Sequence, residues 1–501
     1  MSTFPLAQYK AVHAAALDGS VAFPRFALDQ LVKLFNVISQ QRDRLQDALQ
    51  HDTGVTAVEA QCELALTLAL VKRTVDEADY DRQKAQKDVA LKADGRVEKG
   101  KGVVLVVSNA AAPLYSLVAP LATAIAAGNA VACFLPSSTP AASSLLHDVL
   151  SHALNRFAYL FTSAEPSSLA SIGTAVSPCA RTFTVSTTVD GGTSSYDTLV
   201  ASAGSAGASA VVDRLSPSSP PSQLADVARL LVRGKYHALG RLPGSVARVY
   251  VHEESAGPLI DALLRELEGA VGRDAALSSD YGRLRGVKYE EPSLSKEKEA
   301  GGRVLCGGSR TLGEDEGFHR PTIVSDPSAR LLAMAAQGAI LPVQTFSSHE
   351  DLLYKLGELE STVLYVFAGE RAVVEYLAIE STASTVYEND IPLDALYDPG
   401  RLLTSRTHYI TTSHLVSSSS PSSRPHSATL FAPYTPSRLS TLKSLFPRED
   451  KLVAKRAKHA HTIRRVFFLQ GVFITLGTIV TVLLGGTGWL GWMVTKWVRS
   501  R

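Results

Sequence analysis

From Gly102 to Leu135 the chain passes through a β-branched run bounded by Gly and Ser (GVVLVV, Gly102–Val107), an alanine-rich helical segment (Leu117–Ala127) and a second apolar run (AVACFL, Ala130–Leu135). Short apolar runs on either side of a helix leave the chain few options. Strands joined by a helical crossover lie parallel, and a parallel sheet must be covered on both faces. The segment therefore predicts a doubly wound α/β fold. Further buried-strand patterns at Ala210–Val212, Arg248–His252, Arg303–Cys306 and Val363–Phe367 alternate with amphipathic helices such as Pro258–Leu267 and Glu350–Leu359. Two more amphipathic helices, Leu31–Leu49 and Val58–Val75, open the chain.

A length of 501 residues allows two or three packed domains. With 45% apolar and 20% charged residues, neither wholesale disorder nor a polytopic membrane protein is indicated. The formal net charge of +2 gives no electrostatic footprint for nucleic acid. Cys62, Cys133, Cys179 and Cys306 are widely spaced and form no CxxC pair, which argues against a zinc site or a disulfide framework and for a reducing compartment. Met1–Ala15 lacks the apolar core of a secretory signal. The Ser- and Pro-rich stretches Ser216–Ser222 and Ser417–Ser427 read as loops or linkers.

Val466–Val494 contains no charged residue, and its roughly 30 residues exceed the ~20 that a helix needs to cross hydrocarbon. Trp489, Trp492 and Trp497 cluster at its end, as an interfacial aromatic belt would. Lys451, Lys455, Arg456, Lys458, Arg464 and Arg465 precede it, whereas only Lys496, Arg499 and Arg501 follow. The expectation is a single transmembrane helix inserted after synthesis, with the large body cytosolic.

Gly102–Pro140 resembles the strand, loop, helix and strand that open the cofactor domain of aldehyde dehydrogenases, above all the class 3 type that includes the tail-anchored fatty aldehyde dehydrogenases. AAGNAV (Ala126–Val131) is its most specific piece. The likeness continues in order through Asp52–Asp81, Arg229–His252, Asp280–Gly282, Arg320–Asp326, Gly338–Val343, Leu364–Phe367 and Ser384–Asp390. It implies a Rossmann-like cofactor domain, a catalytic α/β domain and an oligomerisation arm, usually as a dimer. The expected boundaries are 1–212 for the cofactor-type domain with its N-terminal helices, 213–397 for the catalytic-type domain, 398–450 for an arm remnant and linker, 451–465 for the basic segment and 466–494 for the span.

The resemblance also implies a reaction: a cysteine thiolate attacks the aldehyde, an asparagine amide holds the oxyanion, hydride passes to NAD(P) and a glutamate activates the water that releases the acid. Following GKY (Gly234–Tyr236), the nucleophile position falls on Pro243. Pro113 fixes the register that puts the oxyanion asparagine at Ala111 and its neighbour at Ala110, with Asn109 two residues early. The base falls near Ala203, in AGSAGASAVVD (Ala203–Asp213). The cofactor grips fall on Leu135 and Ser138 at the adenosine ribose, on Ala335 at the nicotinamide ribose, and on Val185 and Ser186 in the pyrophosphate turn, where Asp190 would repel a phosphate.

The sequence thus predicts a membrane-anchored pseudoenzyme that binds no cofactor and acts as a scaffold, partner-binding or regulatory protein. Membrane lipid is one expected partner; the other is a second copy or an active relative in a dimer. The endoplasmic reticulum is favoured over the peroxisome and the mitochondrial outer membrane. The alternative is an NAD- or NADP-dependent oxidoreductase for long-chain or lipophilic aldehydes, which would need a substitute group among Cys133, Cys179, Cys306 and His237. Cys133 and His237 read more readily as packing residues.

Overall fold

The computed structural model describes residues 5–78, 102–163, 182–186, 197–200, 207–214, 221–271, 281–283, 294–308, 310–312, 317–334, 338–359, 361, 363–383, 385–398, 415–418, 446–447, 451–453 and 492–499. The chain divides into two units, Met1–Asp76 with Glu98–Leu452, and Glu77–Val97 with Val453–Arg501. The first unit carries all three sheets of the described residues.

Four helices open it: α1 (Leu6–Leu17), α2 (Pro24–Gln40), α3 (Arg42–Thr53) and α4 (Ala57–Glu77). The single helix expected over Leu31–Leu49 is two, because Gln41 leaves the helical region at φ −99° and ψ 18°. The apolar stripe continues across the break, so periodicity alone does not reveal it. Gly54 then ends α3 in the left-handed conformation at φ 71°, which glycine adopts without a Cβ clash.

The first sheet has the order β3-β2-β1-β4-β5, formed by β1 (Val103–Val107), β2 (Ala130–Phe134), β3 (Tyr159–Thr162), β4 (Thr182–Ser186) and β5 (Asp197–Val200). Every pairing in it is parallel, with Val103 opposite Ala130 and Thr182. The crossover from β1 to β2 is α5 (Pro113–Ala126), and α6 (Pro140–Ala153) follows β2. Almost every residue of α5 is buried, as an apolar helix without a polar face must be.

AAGNAV has a mechanical role in this crossover. Gly128 turns the chain at φ 79°, and a Cβ there would press on Ala22. Asn129 Oδ1 accepts the Gly102 N–H at 3.0 Å while its Nδ2 donates to the Ala124 carbonyl at 3.2 Å, locking the start of β1 to the end of α5.

The second sheet runs β15-β14-β13-β6-β7-β12-β11-β8. Its strands are β6 (Ala208–Val212), β7 (Val246–His252), β8 (Arg303–Cys306), β11 (Thr322–Ser325), β12 (Ile340–Phe346), β13 (Val363–Phe367), β14 (Thr385–Glu388) and β15 (Leu415–Ser418). A separate antiparallel pair joins β9 (Arg310–Leu312) to β10 (Gly317–His319). Only β8 runs antiparallel within the large sheet. As an edge strand it is half-exposed, unlike the buried strand expected at Arg303–Cys306.

Ala208–Val212, grouped above with the cofactor-type region, lies at the centre of the second sheet between β13 and β7. An apolar strand at the end of one domain and one at the start of the next look alike in sequence. β15 likewise takes Ser417 and Ser418 out of the Ser-rich linker and pairs them with Tyr387 and Glu388.

Of the second unit, the described part is chiefly a helix over 492–499, with Lys496 Nζ 4.8 Å above the Trp492 ring. No helix among the described residues is long and apolar enough to cross a membrane. The expected span falls, apart from Trp492–Val494, outside the described residues.

Asn129 is 5% exposed and makes both its bonds inside the body. Asn129→Ala should cost about 1–3 kcal/mol, the penalty for stranding buried polar groups, read as a lowered midpoint in urea unfolding. An unchanged midpoint would contradict this role.

Candidate functional site

Helix α7 (Pro221–Tyr236) leads into the segment that carries Pro243. One residue beyond it, three successive residues adopt left-handed backbone: Ala238 at φ 50°, Leu239 at φ 60° and Gly240 at φ 67°. The conformation costs about 1–2 kcal/mol for each residue with a Cβ, so Ala238 and Leu239 hold it only because their surroundings impose it.

The restraints come from several elements. Ala238 N–H donates to Glu59 Oε1 at 2.8 Å, Gly338 N–H donates to the Gly240 carbonyl at 3.0 Å, and Arg241 Nη2 donates to the Thr53 carbonyl at 2.8 Å. Gly244 N–H donates to the Leu396 carbonyl at 2.9 Å, and any side chain on Gly244 would strike the Ala395 carbonyl.

Glu59 is the N3 residue of a capping box on α4. Thr56 N–H donates to its Oε2 at 2.8 Å and Glu59 N–H donates back to Thr56 Oγ1 at 3.3 Å. One turn along the helix, Glu63 Oε1 accepts the N–H groups of Leu114 and Tyr115, each at 2.9 Å, at the N-terminus of α5. A carboxylate there meets the positive end of the helix dipole. Positions 59 and 63 lie about 6 Å apart along the axis. The Pro243 loop and the loop that carries Ala111 are thus fastened to neighbouring points of one helix.

A second link runs through aromatic rings: His237 Nε2 lies 3.0 Å from the Tyr397 hydroxyl, and the Tyr397 ring packs 5.2 Å from Tyr115.

Burial dominates the electrostatics of this cluster. It raises the Glu59 carboxyl, against the opposing pull of N–H donors from Thr56 and Ala238 and the charge of Arg241. It raises Glu63 to about 7, against the N–H donors of Tyr115 and Leu114 and again Arg241. His237 is pushed down to about 3 by burial and then by Arg233, so its 3.9 Å approach to Glu59 is that of a neutral ring rather than an ion pair. Lys235 is lowered to about 7 by burial and then by Arg248.

Of the cysteines that could substitute for the nucleophile, Cys133 and Cys306 are not activated: burial pushes the Cys133 thiol far above its ordinary value and raises that of half-buried Cys306. Burial does the same to Cys62. Reactive cysteines need the opposite shift. Cys179 lies outside the described residues.

An α/β chain that joins a five-stranded parallel sheet to a larger mixed one, with a strained loop before β7, is a specific architecture, and most of its length matches a known family. The aldehyde dehydrogenase family model matches residues 7–397. The chain belongs to the aldehyde dehydrogenase family. Among its relatives is aldehyde dehydrogenase family 3 member H1 of Arabidopsis thaliana, 24% identical over 393 residues that cover 75% of this chain and 78% of that protein. The fold is similar to a Staphylococcus aureus AldH solved in a substrate-bound state, with TM-score 0.64, 18% identity, and 79% and 87% of the two chains covered. It is also similar to an indole-3-acetaldehyde dehydrogenase solved with NAD+, with TM-score 0.60, 13% identity, and 76% and 80% covered.

Pro243 is half-buried on the loop just described, and Ala111 is buried immediately before α5. Asn109 Oδ1 accepts the Ala111 N–H at 2.8 Å, which ties the Asn109 side chain to its own loop. Leu135 is 3% exposed at the carboxyl end of β2, where a doubly wound sheet takes its ligands. Ser138 is half-buried beyond it, so neither position offers a charged group to a ribose diol. Val185 and Ser186 end β4 opposite Val106 and Val107. Ala203 and Ala335 lie outside the described residues.

Glu63 and Tyr397 were not anticipated from sequence, since nothing local marks a contact across 50 or more residues. The T-x-x-E spacing of Thr56 and Glu59 does mark a helix start.

Because the folded state raises the Glu63 pKa, stability from its neutral form is complete below the unfolded value near 4.5 and is lost as pH rises to about 7. Glu63→Gln removes that loss while keeping an acceptor for Leu114 and Tyr115. The variant should therefore gain on the wild type by something of the order of 3 kcal/mol between those pH values and hold the gain above them. Urea melts across the range give the difference; one that is flat or falls with pH would contradict the assignment.

Proposed function

We propose that this member of the aldehyde dehydrogenase family is a pseudoenzyme, fixed to a membrane by a helix over Val466–Val494, whose body serves as a scaffold or regulatory partner. The observation that carries the reading is Pro243. It occupies the position that the resemblance assigns to the nucleophile, on a loop whose left-handed backbone and buried supports persist. A proline side chain offers no atom that can attack a carbonyl.

Ala111 in place of an amide removes the side-chain oxyanion donor, a loss that elsewhere costs about 10²–10³ in rate. Leu135 and Ser138 in place of charged grips weaken any hold on NAD or NADP. We read the body as cytosolic and the membrane as the endoplasmic reticulum, on the strength of the basic residues before Val466 and the length of the uncharged run. The dimer habit implied by the resemblance makes a second copy or an active relative the natural protein partner.

The competing reading is an NAD(P)-dependent enzyme for lipophilic aldehydes, which an anchored body would meet in the bilayer. Calorimetry of the full chain with NAD and NADP, together with a hydride-transfer assay on a long-chain aldehyde, separates the two. The pseudoenzyme reading expects dissociation constants weaker than about 1 mM, worth less than about 4 kcal/mol, and no turnover. It also expects Pro243→Cys alone to leave turnover absent, because the oxyanion donor and the base would still be missing. Tight binding with turnover by the unaltered chain would sink it.

A further inference from the structure

If Val466–Val494 holds the chain to a bilayer, the body must turn one face toward it, and several contacts single out that face. The first unit ends at Leu452, which is held on α2. Asn36 Nδ2 donates to the Leu452 carbonyl at 3.0 Å, Leu452 N–H donates to Asn36 Oδ1 at 2.7 Å, and the Arg42 guanidinium lies 4.7 Å above the Phe446 ring. Only 13 residues, 453–465, separate this grip from the uncharged run. Fully extended they reach at most about 45 Å, while the start of α2 is about 20 Å from Asn36 along the helix.

At that start, three large apolar side chains stand in solvent: Leu17 is 69% exposed, Phe23 65% and Phe157 56%. The contacts beside them bring Phe157 and Phe23 to the same end of α2. Asn155 N–H donates to Gln30 Oε1 at 2.9 Å, and Tyr159 stacks on Phe26 with ring centroids 6.4 Å apart, so the Arg156–Phe157 turn lies against the first turns of α2. Leu17 ends α1 six residues before Phe23. Along α1, exposed Leu6, Lys10, Ala14 and Leu17 recur at three- and four-residue spacing, opposite the buried Tyr9, Val12 and Ala15.

The charge around the patch is mainly positive. Arg25 is exposed in the first turn of α2, and the Arg156 guanidinium lies 5.0 Å above the Phe157 ring. Of the two nearby acids, Asp29 pairs with Lys33 at 2.9 Å, and Asp18 accepts the Ser20 N–H at 2.8 Å.

We propose that the outer side of α1, the N-terminus of α2 and the Arg156–Phe157 turn form a membrane-docking face. Leu17, Phe23 and Phe157 enter the headgroup region, and Lys10, Arg25 and Arg156 lie against anionic lipid. Exposed aromatic and aliphatic side chains beside basic ones are what the interfacial zone of an anionic leaflet accepts. The nearby exit of the chain supplies the effective concentration that so small a patch needs. The inference rests on the membrane-anchored reading above.

The test uses the full chain in phosphatidylcholine nanodiscs, with and without phosphatidylserine, carrying a benzophenone amino acid at Phe23, at Phe157 or, as control, at exposed Tyr354. Irradiation should attach lipid at Phe23 and Phe157 and not at Tyr354. Adduct should be lost on omission of phosphatidylserine and in the Arg25→Glu, Arg156→Glu double variant. A chain that stays with the nanodisc through its tail yet gives no lipid adduct at either position overturns the docking face. Adducts to protein instead would assign the patch to a protein contact and overturn it equally. A chain that does not stay with the nanodisc overturns the anchor itself, a failure seen in the migration of the chain before any adduct is sought.

Discussion

Two buried carboxylates on one helix hold the two halves of the body in register. Glu59 reaches the left-handed loop that precedes β7 in the second sheet, and Glu63 closes the N-terminus of the crossover helix of the first. Each satisfies backbone N–H groups that would otherwise be stranded away from water, a deficit of about 1–3 kcal/mol for each group. Because α4 is a rigid rod, the two sheets cannot shift relative to each other here without breaking one set of bonds. Arg241, which donates to the Thr53 carbonyl and acts electrostatically on both carboxylates, adds a third point of attachment.

This arrangement explains why the loop keeps its costly backbone although the resemblance places a proline where a nucleophile should be. The left-handed run is where Ala238 meets Glu59 and Gly240 meets Gly338. Relaxing it would unseat both. Its geometry therefore belongs to the packing of the body as much as to any chemistry, and can outlast that chemistry.

Much of the fold was legible because parallel sheets write themselves as short, continuous apolar runs, and β1, β2, β7 and β13 fall where such runs stand. The family was legible from AAGNAV, whose Gly128 and Asn129 have positional roles that tolerate few other residues. Sheet membership was not: Ala208–Val212 carries the same apolar signal whichever sheet takes it, and only its pairing with β7 and β13 decides. The break at Gln41 was hidden by an apolar stripe that runs through it. At the candidate site, the resemblance assigns roles to Pro243 and Ala111 from local register, but the supports around them come from distant segments. His237 meets Tyr397 across 160 residues and Glu59 meets Ala238 across 179, and no local pattern announces either contact.

The grip of Asn36 on Leu452 also has a mechanical consequence. Any tension along the chain beyond Leu452 arrives first at two hydrogen bonds to a single side chain on α2, backed by the cation–ring contact of Arg42 with Phe446. Both attachment points flank Gln41, where α2 ends and α3 begins. A pull would therefore load the joint between α2 and α3 before it reached α4 and its two carboxylates, so that forces on the tail meet the opening helices first.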